Sequence, residues 1–114
     1  MFEKNMKLAY LLDFYIDVLD SHAQDIMRAY YEDDLSLAEI AAGVGISRQG
    51  IRHVIKKSED VILSLEEKLH LAQKHAETEN AVEMLKDLAS RIEVGIFPSS
   101  DELNRVISIL EKGV

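Results

Sequence analysis

Ser36-Leu37-Ala38-Glu39-Ile40-Ala41-Ala42-Gly43-Val44-Gly45-Ile46-Ser47-Arg48-Gln49-Gly50-Ile51-Arg52-His53-Val54-Ile55 holds two helix starts and one forced turn. Ser36 and Glu39 have the spacing of a capping box, in which side chain and backbone groups at a helix start satisfy one another. Gly43 and Gly45 end that helix after two turns, and a glycine in the turn takes a positive φ without steric cost. Ser47 then caps a second helix that starts at Arg48. Ile40, Val44, Ile46, Ile51 and Val54 are expected to seal the joint between the two helices. Ala41 supplies the small side chain needed where they cross. Two short helices joined steeply by a tight, sealed turn make a helix-turn-helix.

The second helix is expected to be two-faced. At about 100° per residue, Ile51, Val54, Ile55 and Ser58 share one arc and face the core. Arg48, Gln49, Arg52, His53, Lys56 and Lys57 are read as the opposite, outward face. Arginine pairs with guanine and glutamine with adenine in a major groove, while lysine suits phosphates. Ser47 and Arg48 also stand at a helix start, where backbone N–H groups favour a phosphate. The expected nucleic-acid-binding set is therefore Ser47, Arg48, Gln49, Arg52, His53, Lys56 and Lys57, with DNA favoured over RNA. Gly50, in the first turn, costs about 0.5–1 kcal/mol relative to alanine.

Charge singles out the same stretch. The 114-residue chain carries a net −8, which repels a polyanion at long range. Residues 1–35 hold three Lys/Arg against eight Asp/Glu, for −5, and residues 58–114 hold six against twelve, for −6. Residues 36–57 hold four against one, for +3. An anionic partner should meet that island. Four cations neutralise only a handful of phosphates, so useful affinity calls for a homodimer.

Outward from the motif, helical spacing recurs and strand-like alternation is absent. A first helix is expected from about Lys4 to Leu19, with Leu8, Leu11, Leu12, Tyr15, Val18 and Leu19 inward. Asp20-Ser21 is a cap signal, and Ser21 with Gln24 has the box spacing for a second helix through Ile26, Met27, Tyr30 and Tyr31. Glu32-Asp33-Asp34 breaks it. One of the two tyrosines belongs to the core and the other packs half-buried at its edge.

The helix opened by Ser47 meets no breaker after Gly50 and is expected to run to about His75. It would carry a seam of Ile55, Ile62, Leu65, Leu69, Ala72 and Ala76 spaced 7, 3, 4, 3 and 4, with Glu59, Asp60, Glu66 and Glu67 as solvated flanks. Residues 81–97 form a further apolar helix with Val82, Leu85, Leu88, Ala89, Ile92 and Ile96, stopped by Pro98. Ser99 and Glu102 box a last one with Leu103, Val106, Ile107 and Leu110. The fold expected is all-α: a helix-turn-helix bundle over residues 1–58, then a helical extension over 59–114 whose seam either packs on the C-terminal helices of the same chain, giving a single compact unit, or serves dimerisation, the reading favoured.

Several function classes are set aside. Absence of cysteine removes disulfides, thiol catalysis and cysteine-ligated metal. His70 with Glu66 and His75 with Glu79 share helix faces, but a structural metal site needs about four ligands; no metal and no cofactor are expected. No Ser-His-Asp arrangement, phosphate loop or dinucleotide fingerprint occurs, so the protein is not expected to be an enzyme. No apolar run reaches the roughly 20 residues of a membrane span. The start lacks the basic and apolar regions of a signal peptide, and a cytoplasmic location is expected.

Leu11-Leu12-Asp13-Phe14-Tyr15, the run from Tyr30 to Ala41 and Ser47-Arg48-Gln49-Gly50-Ile51 together resemble the YlxM family of small bacterial proteins. The helix-turn-helix also resembles sigma-factor region four, which reads promoter DNA. The resemblance implies a regulatory DNA-binding role. It also implies, through the usual neighbourhood of the family's genes, a part in the signal recognition particle pathway, with the particle's protein or RNA as partner. The chain departs from the family at Gly50, where alanine is usual.

Overall fold

A computed structural model describes residues 4–113, which form helices joined by short connections. The helices are α1 (Met6–Tyr15), α2 (Ser21–Tyr31), α3 (Leu37–Val44), α4 (Arg48–Leu69), α5 (Leu71–Glu93) and α6 (Ser100–Lys112), with a 3-10 turn over Ile16–Val18 after α1. The chain divides into two units at residues 70 and 71. The sequence reading put a boundary at 58/59; α4 runs on for three turns beyond Lys57, and Ser58 and Ile62 are buried in the first unit.

In that unit α4 is the hub, packing on α1, α2 and α3. Ile51, Ile55, Ser58 and Ile62 line its buried stripe at helical spacing. Leu8, Leu11, Leu12 and Tyr15 of α1 and Ile26, Met27 and Tyr30 of α2 complete the core. Two further ties fix α4. The Tyr15 hydroxyl donates to Glu66 Oε1 at 2.5 Å, and the Tyr31 hydroxyl donates to Glu59. Burial, together with the Glu59 carboxylate, raises the Tyr31 hydroxyl above its usual range. Glu59 and Glu66 are therefore tethers for α1 and α2, not the solvated flanks expected from the sequence. By projection they fall within about 40° of Ile55. A carboxylate at the margin of an apolar stripe is stable only with a donor, and the tyrosines provide it.

Three boundaries differ from expectation. Helix α1 stops at Tyr15, and the tighter turn that follows leaves Val18 exposed. The cap of α2 is Asp20, whose carboxylate accepts from the Ala23 N–H at 2.8 Å. Gln24 instead donates to the Leu19 carbonyl at 2.9 Å, so no Ser21–Gln24 box forms. The helix expected to reach His75 ends at Leu69, because His70 takes a left-handed conformation at φ 55 and closes α4 through its N–H to the Glu66 carbonyl. The seam read across Ile55–Ala76 is accordingly split between two helices.

The second unit is the α5–α6 hairpin. Arg91, Leu88, Met84 and Ala81 of α5 meet residues of α6 in the reverse order, so the two helices run antiparallel. Arg91 holds Glu102 through two bonds of 2.6 and 3.2 Å. Leu88, Ala81 and Val106 are buried together, with Met84 and Ile109 packed against them. Ser99 caps α6, accepting from the Glu102 N–H at 3.2 Å.

Candidate nucleic-acid interface

The caps and the glycine turn of the motif appear in the structure. Ser36 accepts from the Glu39 N–H at 3.1 Å and its own N–H donates to the Glu39 carboxylate at 3.0 Å. These bonds hold the Glu39 carboxyl below its usual range. Gly45 closes α3 at φ 84, where a side chain would be strained. Ser47 accepts from the Gly50 N–H at 3.0 Å and opens α4. Ile40 and Ile51 are buried across the joint and Ala41 lies where the helices approach. Val44 and Ile46, expected as seals, remain 40% and 37% exposed. They border the turn, one on either side of Gly45.

On the outer side of α4, Ser47, Arg48, Gln49, Arg52, His53, Lys56 and Lys57 are all exposed. Taking Ile51 as the inward direction, Lys56, Gln49 and His53 stand about 140°, 160° and 200° away and form the central ridge. Arg52 and Lys57 flank it at about 100° on one side and 120° on the other. Arg48 lies only about 60° from Ile51 and is therefore not opposite the core; its exposure comes from its place at the helix start. Lys56 meets Asp60 at 3.4 Å along the surface of α4. Asp60 projects to about 180°, so a carboxylate terminates the basic ridge one turn beyond Lys56.

Gly50 does not interrupt α4, which is helical from Arg48 onward. A Cβ built there meets the Ile46 Cδ1 at 3.3 Å and the Ser47 Oγ at 3.4 Å. Ile46 is partly exposed and its terminal methyl can yield. The helix propensity of alanine then decides the outcome. Gly50→Ala is expected to stabilise the protein by about 0.5–1 kcal/mol, read as a higher urea midpoint; a lower midpoint would show that the Ile46 contact is rigid.

A short helix and a long one joined at a tight glycine turn, with the second buried on one side and cationic on the other over its first turns, define a helix-turn-helix protein. A family model described as "Putative helix-turn-helix protein, YlxM / p13 like" matches residues 2–96. The chain belongs to the UPF0122 family. A UPF0122 protein of Bacillus cereus strain AH187 is 39% identical over 112 residues, covering 98% of this chain and 98% of its own. UPF0122 proteins of Bacillus anthracis strain A0248 and Bacillus thuringiensis subsp. konkukian strain 97-27 match to the same extent. Among the described residues, no helix is long and apolar enough to cross a membrane.

The sequence did not single out Tyr15, Tyr31, Glu59 and Glu66 as positioning residues. Their signal was the seven-residue spacing of two acids along the core side of α4.

Proposed function

We propose that the protein is a non-enzymatic, DNA-binding regulatory protein of the cytoplasm that lays the first three turns of α4 in a major groove. The observation that supports this most is the exposed basic ridge of α4, set on a helix whose opposite side is locked into the core. Gln49 and His53, central and near the helix start, are placed for base edges; Arg52 and Lys57 flank them for phosphates on either side. Arg48 and Ser47 meet the backbone at the helix start. DNA is favoured over RNA because a preformed helix fits the wide major groove of B-form DNA, whereas that of an RNA duplex is too narrow to read. Two copies would double the few cations available and set a half-site spacing.

Asp60 supplies the test. A carboxylate at the end of the ridge opposes a phosphate and occupies Lys56, so Asp60→Asn is expected to tighten binding about threefold to tenfold, while Arg52→Ala weakens it. The measurement is fluorescence anisotropy on duplexes selected from a random library by the wild-type protein. Equal affinity of all three proteins would refute the reading.

An adaptor role in the signal recognition particle pathway is the second reading. It is favoured by one groove of the α5–α6 hairpin in which Glu83, Asp87, Asp101 and Glu102 outnumber Arg91 and Arg105, an acidic excess that suits a basic protein. Co-purification with the particle's GTPase or RNA, lost on charge reversal at Glu83, Asp87 and Asp101, would support it over DNA binding.

A further inference from the structure

The α5–α6 hairpin buries very little by itself. Ala81, Leu88 and Val106 are its buried cluster, a small core for two helices of 23 and 13 residues, and short helices gain their stability from packing an apolar face. Meanwhile Val82, Leu85 and Ile92 on α5 and Leu103, Ile107 and Leu110 on α6 are each between 40% and 48% exposed.

These six side chains belong to one surface. Measured from Leu88, the residue that faces α6, Ile92, Leu85 and Val82 lie about 40°, 60° and 120° round α5 in one sense. Measured from Val106, Leu110, Leu103 and Ile107 lie about 40°, 60° and 100° round α6 in the same sense. The helices are antiparallel, so equal rotations seen from each N-terminus carry both stripes to the same side of the hairpin. The opposite rotation gives Asn80, Glu83 and Asp87 on α5 and Asp101, Arg105 and Ser108 on α6, and these line the grooves of the other side. The hairpin is thus apolar on one broad side and polar on the other.

We propose that this apolar side is covered by the same side of a second copy, the two hairpins forming a four-helix bundle. The proposal deepens the dimeric form of the functional reading above. Three observations select a second copy. Val82, Leu85, Ala89 and Ile92 are spaced 3, 4 and 3, the period of knobs-into-holes packing between helices. The six side chains form one exposed apolar patch of several hundred Å², of the size that marks an interaction surface and a substantial part of the ~800 Å² per partner of a standard interface. Charge along the outer margin of that stripe is self-complementary: Glu79, Lys86 and Glu93 follow at intervals of seven. A twofold-related, antiparallel α5 brings Lys86 opposite Glu79 or Glu93 of the copy. Lys86 pairs in its own chain with Glu83 at 3.5 Å, an exposed pair that exchanges readily. An anionic membrane is disfavoured because residues 71–114 carry five Lys/Arg against eight Asp/Glu, for −3.

Sedimentation equilibrium of the full chain without nucleic acid tests this. The wild-type protein is expected at twice 12.9 kDa. Leu85→Glu and Ile107→Lys are each expected at the single-chain mass with helical content unchanged by circular dichroism, since both side chains already face solvent in one chain. Ser108→Lys, on the polar side, should remain dimeric. A wild-type protein that stays monomeric, or a dimer that survives both apolar-side substitutions, overturns the proposal. The chain has no cysteine, which allows a second readout should either charged variant unfold. Ala89→Cys is expected to cross-link to its copy with a flexible bifunctional maleimide while Ser108→Cys is not; no cross-link at Ala89 overturns the proposal. Because no nucleic acid is present, either failure leaves the DNA-binding reading of α4 untouched.

Discussion

Ile55→Ala is expected to destabilise the protein by about 2–5 kcal/mol, against a total stability of about 5–15 kcal/mol for domains of this kind. Ile55 is fully buried at the middle of the α4 stripe, on the one helix that packs against α1, α2 and α3 together. Removing its side chain leaves a cavity between elements that other contacts hold in place, so collapse can recover only part of the loss. Urea unfolding followed by circular dichroism measures it. Val44→Ala, at the partly exposed edge of the same motif, should cost far less. Comparable losses at the two positions would contradict the packing described for α4.

Replacing Arg48, Arg52, Lys56 and Lys57 together by alanine is expected to lower DNA affinity by at least 100-fold at moderate salt, given the loss of about four phosphate neutralisations. The fold should survive, because all four side chains are exposed and alanine is the best helix former. Losing the Lys56–Asp60 pair costs little, as exposed ion pairs contribute about 0–1 kcal/mol. Titration of a labelled duplex, with urea unfolding as the control, separates the two quantities. Unchanged affinity would remove α4 from the interface; lost affinity accompanied by lost stability would leave its role undecided between contact and fold, and the single substitution Arg52→Ala resolves that.

The helix-turn-helix was legible because its signals are local. Ser36 and Glu39, Gly45, and Ser47 each act within four residues, and each does in the structure what its spacing implies. The exposure of Gln49, Arg52, His53, Lys56 and Lys57 followed from period and charge, whereas Ser47 and Arg48 are exposed through their place at the helix start. What was hidden depends on choices between near-equal options or on distant partners. Asp20 and Ser21 both cap helices well, and the carboxylate prevailed while Gln24 turned to the Leu19 carbonyl. Helix α4 ends between two leucines, with neither glycine nor proline to mark it. The faint sign was His70, one of the few non-glycine types enriched at positive φ. The tethers of Glu59 and Glu66 lie 28 and 51 residues away in sequence, beyond the reach of any periodic pattern.

The apolar residues of α5 and α6 show a different limit. The sequence placed Val82, Leu85, Ile92, Leu103 and Ile107 at periodic apolar positions of two helices, and the structure leaves them exposed on a single chain. Periodicity identifies a face that must be covered; it does not say by what.

The salt dependence of DNA binding, compared between the wild-type protein and the four-alanine variant, tests the central assignment most directly. Each phosphate neutralised contributes about −0.9 to the slope of log affinity against log salt. The slope of the variant is predicted to be shallower by about 3.6 for each chain engaged. Two parallel lines would contradict the assignment of α4 as the surface that meets the phosphates.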